Sequence, residues 1–262
     1  MKPYDYRRCH NELEKFSGKD LGHYINPWNF GGDSNYTAGF LTIIFAKILS
    51  DVDTNGLEEA SLMGDYSVYS KPDAASRRIA ALLDLVTSDT SVLSGTRGNL
   101  TPEDIDKLFS DKGKSEELIA YAEHRVSEML DTGINSVKVH AANGFNIYVA
   151  DFESIRGSEL ERYPLPGRFA SRLLGRIEEL NKVPCVLLLH FGHFISARMS
   201  KELIGRVDLI KALESARENY PAYFDSSGGH SNAASLKLKS DEMKKEIIKS
   251  VIDKLKAASS GK

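Results

Sequence analysis

At 262 residues, with 41% hydrophobic and 27% charged side chains, the chain has the balance of an ordinary globular protein rather than a disordered one. A formal charge of −3 offers no general basic field for nucleic acid, and two cysteines, Cys9 and Cys185, are too few for a disulfide framework. The opening MKPYDYRRCHNELEKF lacks the apolar stretch of a secretory leader, and the longest apolar runs, near 40–49 and 183–189, are too short to span a bilayer. A cytoplasmic location is therefore expected, in the chain's own cell or in a host entered by a pathogen.

Through about residue 19 the sequence reads as a polar helix or arm, and 21–34, rich in Gly, Asn and aromatic residues, as loop. From Ser34 the run SNYTAGFLTIIFAKIL has the length of a buried helix. A second helix is predicted over 74–86, with Ile79, Leu82, Leu83 and Val86 on one face. Thr101-Pro102-Glu103-Asp104 supplies an N-cap, a proline at the first helical position and early acids. Ser115-Glu116-Glu117 opens a further helix to about residue 130, with Gly133 just past its end. The period then changes to that of strands. Segments 136–140 and 145–150 flank Asn143-Gly144, the strongest short-range hairpin signal. A helix over 167–180, an apolar strand over 183–189 and a partner strand over 193–198 follow. The chain ends in a helix over 203–218, a short strand at 222–225, and an amphipathic helix capped by Ser240 that carries Ile247, Ile248, Val251, Ile252 and Leu255. Helices first and strands later indicate an α+β fold. One domain is expected, with a helical lobe at about 20–133, a lobe built on an antiparallel sheet at about 134–239 and a C-terminal helix at about 240–258.

Three segments carry chemistry. Asn29-Phe30-Gly31-Gly32-Asp33-Ser34 stands just before the apolar helix. A nucleophile there would feel the positive end of the helix dipole, and the Asn29 amide could join backbone N–H groups around an oxyanion. His190-Phe191-Gly192-His193 opens an apolar strand and presents an imidazole at a sheet rim. Tyr223-Phe224-Asp225-Ser226-Ser227-Gly228-Gly229 ends an aromatic strand in a carboxylate before a Ser/Gly turn, where it could orient a histidine. Each has a plain alternative: Ser34 as a helix cap, the histidines as satisfied strand residues, Asp225 in a turn that binds its own backbone. Both cysteines read as structural.

NFGGDSNYTAGFL resembles the first box of the ubiquitin-specific proteases, LLHFGHFISAR their Gly-His box and AYFDSSG their aromatic-Asp segment. The resemblance covers about thirty residues and implies a papain-like α+β fold. It further implies Asn29 as the oxyanion residue, Ser34 where that family carries its catalytic cysteine, His193 as base and Asp225 as orienting acid, with Asp208 a competing acid. The implied activity is thiol hydrolysis of an amide by acyl transfer, of protease, deubiquitinase or deamidase type. It needs no cofactor or metal and takes a protein substrate, such as ubiquitin or a ubiquitin-like tail, with no nucleic acid and no membrane. Serine at position 34 implies an inactive form, either an engineered Cys→Ser change or a natural pseudoenzyme, because a hydroxyl stays protonated where a thiol would ionise. The gap of 32 positions from His193 to Asp225 and the lack of CxxC pairs depart from the family pattern.

Two other classes of function are open. Tyr148-Val149-Ala150-Asp151-Phe152-Glu153-Ser154 resembles the first motif of proofreading-type 3′–5′ exonucleases, in which paired carboxylates hold magnesium or manganese. Asp151 and Glu153 would then need further aspartates from Asp208, Asp225 or Asp241. The C-terminal amphipathic helix, lysine-rich on its outer face, would serve a non-catalytic interaction protein as its partner surface.

Overall fold

The computed structural model describes residues 36–258, apart from 51–53, 55, 65–66, 68, 95–97, 158–161 and 231. Cys9, Asn29, Ser34 and the expected N-terminal arm lie outside the described residues. The chain divides into two compact units, Met1–Leu83 and Asp84–Lys262. None of the described helices is long and apolar enough to cross a membrane.

In the first unit, helix α1 (Ala38–Leu49) starts where Thr37 accepts a hydrogen bond from the Phe40 N–H at 3.2 Å. The apolar run after Ser34 is thus a helix, as its length implied. None of its residues is buried, however, and Leu49 is 82% exposed. Hydrophobicity alone gave the burial expectation, and burial is set by what packs on a helix. Helix α2 (Leu57–Gly64) approaches it closely enough for Thr37 Oγ1 and Ser61 Oγ to lie 2.9 Å apart.

Helix α3 (Ala74–Ser88) leads into the second unit. Asp84, near its end, is buried and pairs with Arg168 Nε at 3.2 Å and Arg172 at 3.5 Å. Burial raises the Asp84 carboxyl above its usual range despite the two guanidinium groups beside it. Helix α4 (Pro102–Ser110) starts at the Thr101 cap expected from sequence, and the structure adds a full capping box, with the Thr101 and Asp104 side chains each bonded to the other's backbone N–H. Helix α5 (Lys112–Ser136) begins earlier than Ser115, because Asp111 caps it by accepting from the Lys114 N–H, and it runs straight through Gly133. Gly133 serves packing rather than termination. A Cβ there would come within 3.0 Å of Leu173, so the bare backbone lets a second helix press close.

Among the described residues, six strands form one sheet in the order β1-β2-β3-β4-β6-β5. Strands β1 (Lys138–Ala142) and β2 (Phe145–Asp151) make the expected hairpin, with Gly144 at φ +80° in its turn. After β2 the chain passes through α6 (Phe152–Arg156) and α7 (Pro166–Asn181) and returns as β3 (Cys185–Phe191), parallel to β2. β4 (Phe194–Met199) pairs back on β3 in a tight hairpin. Helix α8 (Leu209–Asn219) starts at the Asp208 cap, six residues later than its apolar pattern suggested. β5 (Phe224–His230) and β6 (Ala233–Leu238) close the sheet, and α9 (Lys244–Ala258) buries Ile247, Ile248, Val251, Ile252 and Leu255.

The sheet has a core on each face. On one, Ile147, Leu188, Ile195 and Leu236 pack against α8 and α9 through Leu213, Ala216, Val251 and Leu255. On the other, Tyr148, Leu187 and Leu189 pack against α5, α6 and α7 through Met129, Phe152, Phe169 and Leu173. β3 is buried on both faces, which is why Cys185–Leu189 reads as an unbroken apolar run. The α+β expectation stands. The papain-like one does not: the sheet is mixed, with a parallel β2–β3 pair joined by a helical crossover, where an antiparallel lobe had been expected.

Candidate functional site

The chemically dense part of the second unit is the β3–β4 turn and the sheet face that runs away from it. Gly192 takes φ +44° in that two-residue turn, a conformation glycine adopts without strain. Its N–H donates to Glu153 Oε1 at 3.1 Å, and its carbonyl accepts from Lys244 Nζ at 2.9 Å. His193 Nδ1 lies 3.0 Å from Asp241 Oδ1, and Lys244 sits 3.4 Å from the other oxygen of that carboxylate. The turn is thus held by α6 on one side and by the segment leading into α9 on the other.

His193 therefore meets a carboxylate, but it is Asp241. Asp225 instead pairs with Lys237 at 2.7 Å, an ion pair that lowers its carboxyl pKa. Asp208 caps α8 by accepting from the Lys211 N–H. Next to the turn, His190 Nδ1 is buried with no hydrogen-bond partner, and Asp151 Oδ1 is too far at 3.7 Å to supply one. Burial depresses the His190 pKa, outweighing the carboxylates of Asp151, Glu153 and Asp241. Below pH 6.5 the unfolded chain then takes up a proton that the folded protein refuses. Stability is full above that pH and is lost as pH falls towards the depressed value. Urea melts at about pH 7.5 and about pH 5.5 should show this loss, and His190→Gln should shrink it. An unchanged pH dependence in that variant would place the titration elsewhere.

From the turn, β4 sends Phe194, Ser196 and Arg198 to the face that carries α7, and their partners on β6 and β5 continue it. Ser196 lies opposite Ser235, Ser235 opposite Gly228, and Lys237 opposite Ser226. Helix α7 packs on β3 and β4, while Ser226, Gly228, Ser235 and Lys237 remain exposed. Arg198 braces the inner edge, donating to Ser171 Oγ at 3.1 Å, Ser196 Oγ at 3.0 Å and the Ala197 carbonyl at 2.9 Å. The result is a shallow open face of hydroxyls, bare glycine backbone and two cationic side chains. Sequence reading took Ser226-Ser227-Gly228-Gly229 for a turn and passed over β6. The signal lay in glycines continuing an aromatic strand, which mark a place where backbone or ligand comes close.

A metal centre of the exonuclease kind does not fit the described carboxylates. Asp151 Oδ1 accepts from the Glu153 N–H at 3.1 Å and Oδ2 from Ser154 Oγ at 3.0 Å, so both oxygens cap α6. Glu153, Asp241, Asp225 and Asp208 are bonded as described above. Among the described residues no group of three or more His, Cys, Asp or Glu side chains is placed to hold a metal ion.

The sequence matches no protein-family model and no curated protein. Solved structures do match. A DHH domain from a member of a family of ribosomal proteins superposes with a TM-score of 0.62 at 18% identity, over 76% of this chain and 49% of that one. The exonuclease RecJ bound to manganese gives 0.40 at 15% identity, over 79% and 46%. RecJ from Thermus thermophilus with Mn2+ gives 0.42 at 15% identity, over 77% and 27%. The fold assignment rests on the first, and the chain spans about half the length of that protein.

These neighbours correct several expectations. The fold is similar to that of a DHH domain, so the resemblance to ubiquitin-specific and other papain-like proteases is overturned, and the cysteine-peptidase activity with it. The expected protein substrate and the exclusion of nucleic acid fall too, the first because it came only from the protease resemblance. The second came from the −3 net charge, which averages over the whole chain, whereas a ligand meets one face. The shared fold is that of a DHH domain and not that of the expected protease.

Proposed function

We propose that this chain acts on nucleic acid as part of a metal-dependent exonuclease-type protein, and that its described residues hold the phosphodiester backbone of a strand. The observation that carries this is the open face of β4, β6 and β5. Ser226 and Ser235 offer hydroxyl donors, Gly228 leaves room for close approach to the sheet, and Lys237, paired with Asp225, and Arg198 bring positive charge. Hydroxyls and cations around an open glycine suit phosphate oxygens, and their spread over three strands suits a chain of phosphates better than a single small anion. The DHH-type fold supports the same substrate class, since the neighbour that shares it is named as a member of a family of ribosomal proteins.

Fluorescence anisotropy of a labelled fifteen-nucleotide thymidine strand tests the proposal. Binding is expected at about 50 mM salt and should weaken as salt rises, because bound phosphates release counterions. Ser235→Asp sets a carboxylate in the middle of the face without touching the core, and should weaken binding about tenfold or more, at an unchanged melting temperature. A wild-type protein that leaves the strand free at low salt would sink the strand-holding role. The same strand labelled at its 5′ end and incubated with Mn2+ reports separately whether it is shortened from its 3′ end.

A further inference from the structure

We propose that Phe194 is a stacking platform for an unpaired base, which makes the preferred ligand of the open face a single strand rather than a duplex. This rests on the strand-holding role proposed above. Phe194 is a large aromatic side chain at the head of a polar row, and it is 38% exposed. Its ring is held in place from behind. It stacks on Phe191 at 5.3 Å between centroids and 12° between planes. Phe191 in turn meets the buried Phe152 edge-on at 6.1 Å, and Phe152 packs on Phe169 at 5.6 Å. Four rings thus run from the core to the surface, and the last, Phe194, is the exposed one, covered over its ring by the long side chain of Lys237. A side chain fixed in this way loses little conformational entropy when a base lies on it.

Lys237, directly across on β6, holds its ammonium 5.9 Å from the Phe194 ring centroid, and Asp225 holds that lysine at 2.7 Å. The arrangement pairs a π surface with a nearby positive charge. Ser235 follows Lys237 on β6 after a step of roughly 7 Å for two residues, with Gly228 beside it on β5, so phosphate-binding groups lead away from the platform along one line. Aromatic faces interleaved with cations and hydroxyls are how single strands are held without sequence preference. In a duplex the faces of internal bases are covered by their neighbours, so the platform has nothing to take except at a frayed end.

The test compares two strands of equal length and charge, fifteen thymidine nucleotides and a fifteen-unit abasic backbone, by competition anisotropy. The wild type is expected to hold the thymidine strand more tightly. Phe194→Ala should lose about tenfold on thymidine and nothing on the abasic strand, while Phe194→Trp should restore binding. Phe194→Leu keeps apolar bulk without a π face and should behave like the alanine variant, and melting temperatures confirm that each variant is folded. Unchanged thymidine affinity in Phe194→Ala, or an equal loss on both strands, overturns the platform. If the wild type holds both strands equally and Ser235→Asp weakens both, strand holding stands and the platform falls. If the wild type holds neither, both fall together.

Discussion

Gly229→Ala is expected to destabilise the second unit by about 3 kcal/mol and to abolish binding to the open face. Gly229 has φ +144°, where a side chain is strained whatever space surrounds it. Space is also missing. A Cβ on Gly229 would fall inside the van der Waals surface of the Ala233 carbonyl oxygen and 2.5 Å from Ala234 Cα. Those are backbone atoms of the paired strand, so no rotamer change relieves the clash, and the β5–β6 ladder must open at the Gly229–Ala234 pair. That ladder carries Ser226, Gly228, Ser235 and Lys237, so the face is lost with it. The neighbouring residue supplies the control. A Cβ on Gly228 meets nothing within 4 Å, and Gly228→Ala should stay within about 0.5 kcal/mol of wild type. Urea midpoints for the two variants read the contrast directly. Equal midpoints would mean that β5 does not run as a strand through its glycines.

The features that were legible in sequence are those decided within a few residues. The Thr101 helix cap, the Asn143-Gly144 hairpin and the five buried positions of α9 need only local geometry and the 3.6-residue period. What depends on distant partners was not legible. Gly133 looked like a helix terminator because a small residue near a helix end usually is one; its role comes from Leu173, forty positions away. The parallel pairing of β2 with β3 cannot be seen in either strand alone. The protease boxes misled for a related reason. A two-residue turn needs its Gly192 at positive φ, and an aromatic strand end with a bulge accommodates Asp225 beside Lys237, so the same residue types arise from strand chemistry without any triad. The histidine–carboxylate contact is real, but its acid, Asp241, comes from the segment before α9, which carried no motif.

Phe152→Ala is expected to cost about 4 kcal/mol, the largest loss of any single core truncation proposed for this chain, and to lower the melting temperature by about ten degrees. Phe152 is 1% exposed and stands in the middle of the aromatic ladder, with Phe169 on one side, Phe191 on the other and the Arg156 guanidinium 5.6 Å from its ring centroid. It is also the first residue of α6, fixed by the Asp151 cap, so the surrounding backbone is tied at the point where it would have to collapse. A cavity that cannot close carries both the lost transfer energy and the lost contacts of its lining. Phe152→Leu should restore more than half of the stability. Because Phe152 and Phe191 share one contact, Phe152→Ala and Phe191→Ala combined should lose less than the sum of the two single changes. A loss under about 1 kcal/mol in Phe152→Ala, or strict additivity in the double variant, would show that the rings do not form a continuous stack. Phe194 would then have no rigid support from the core.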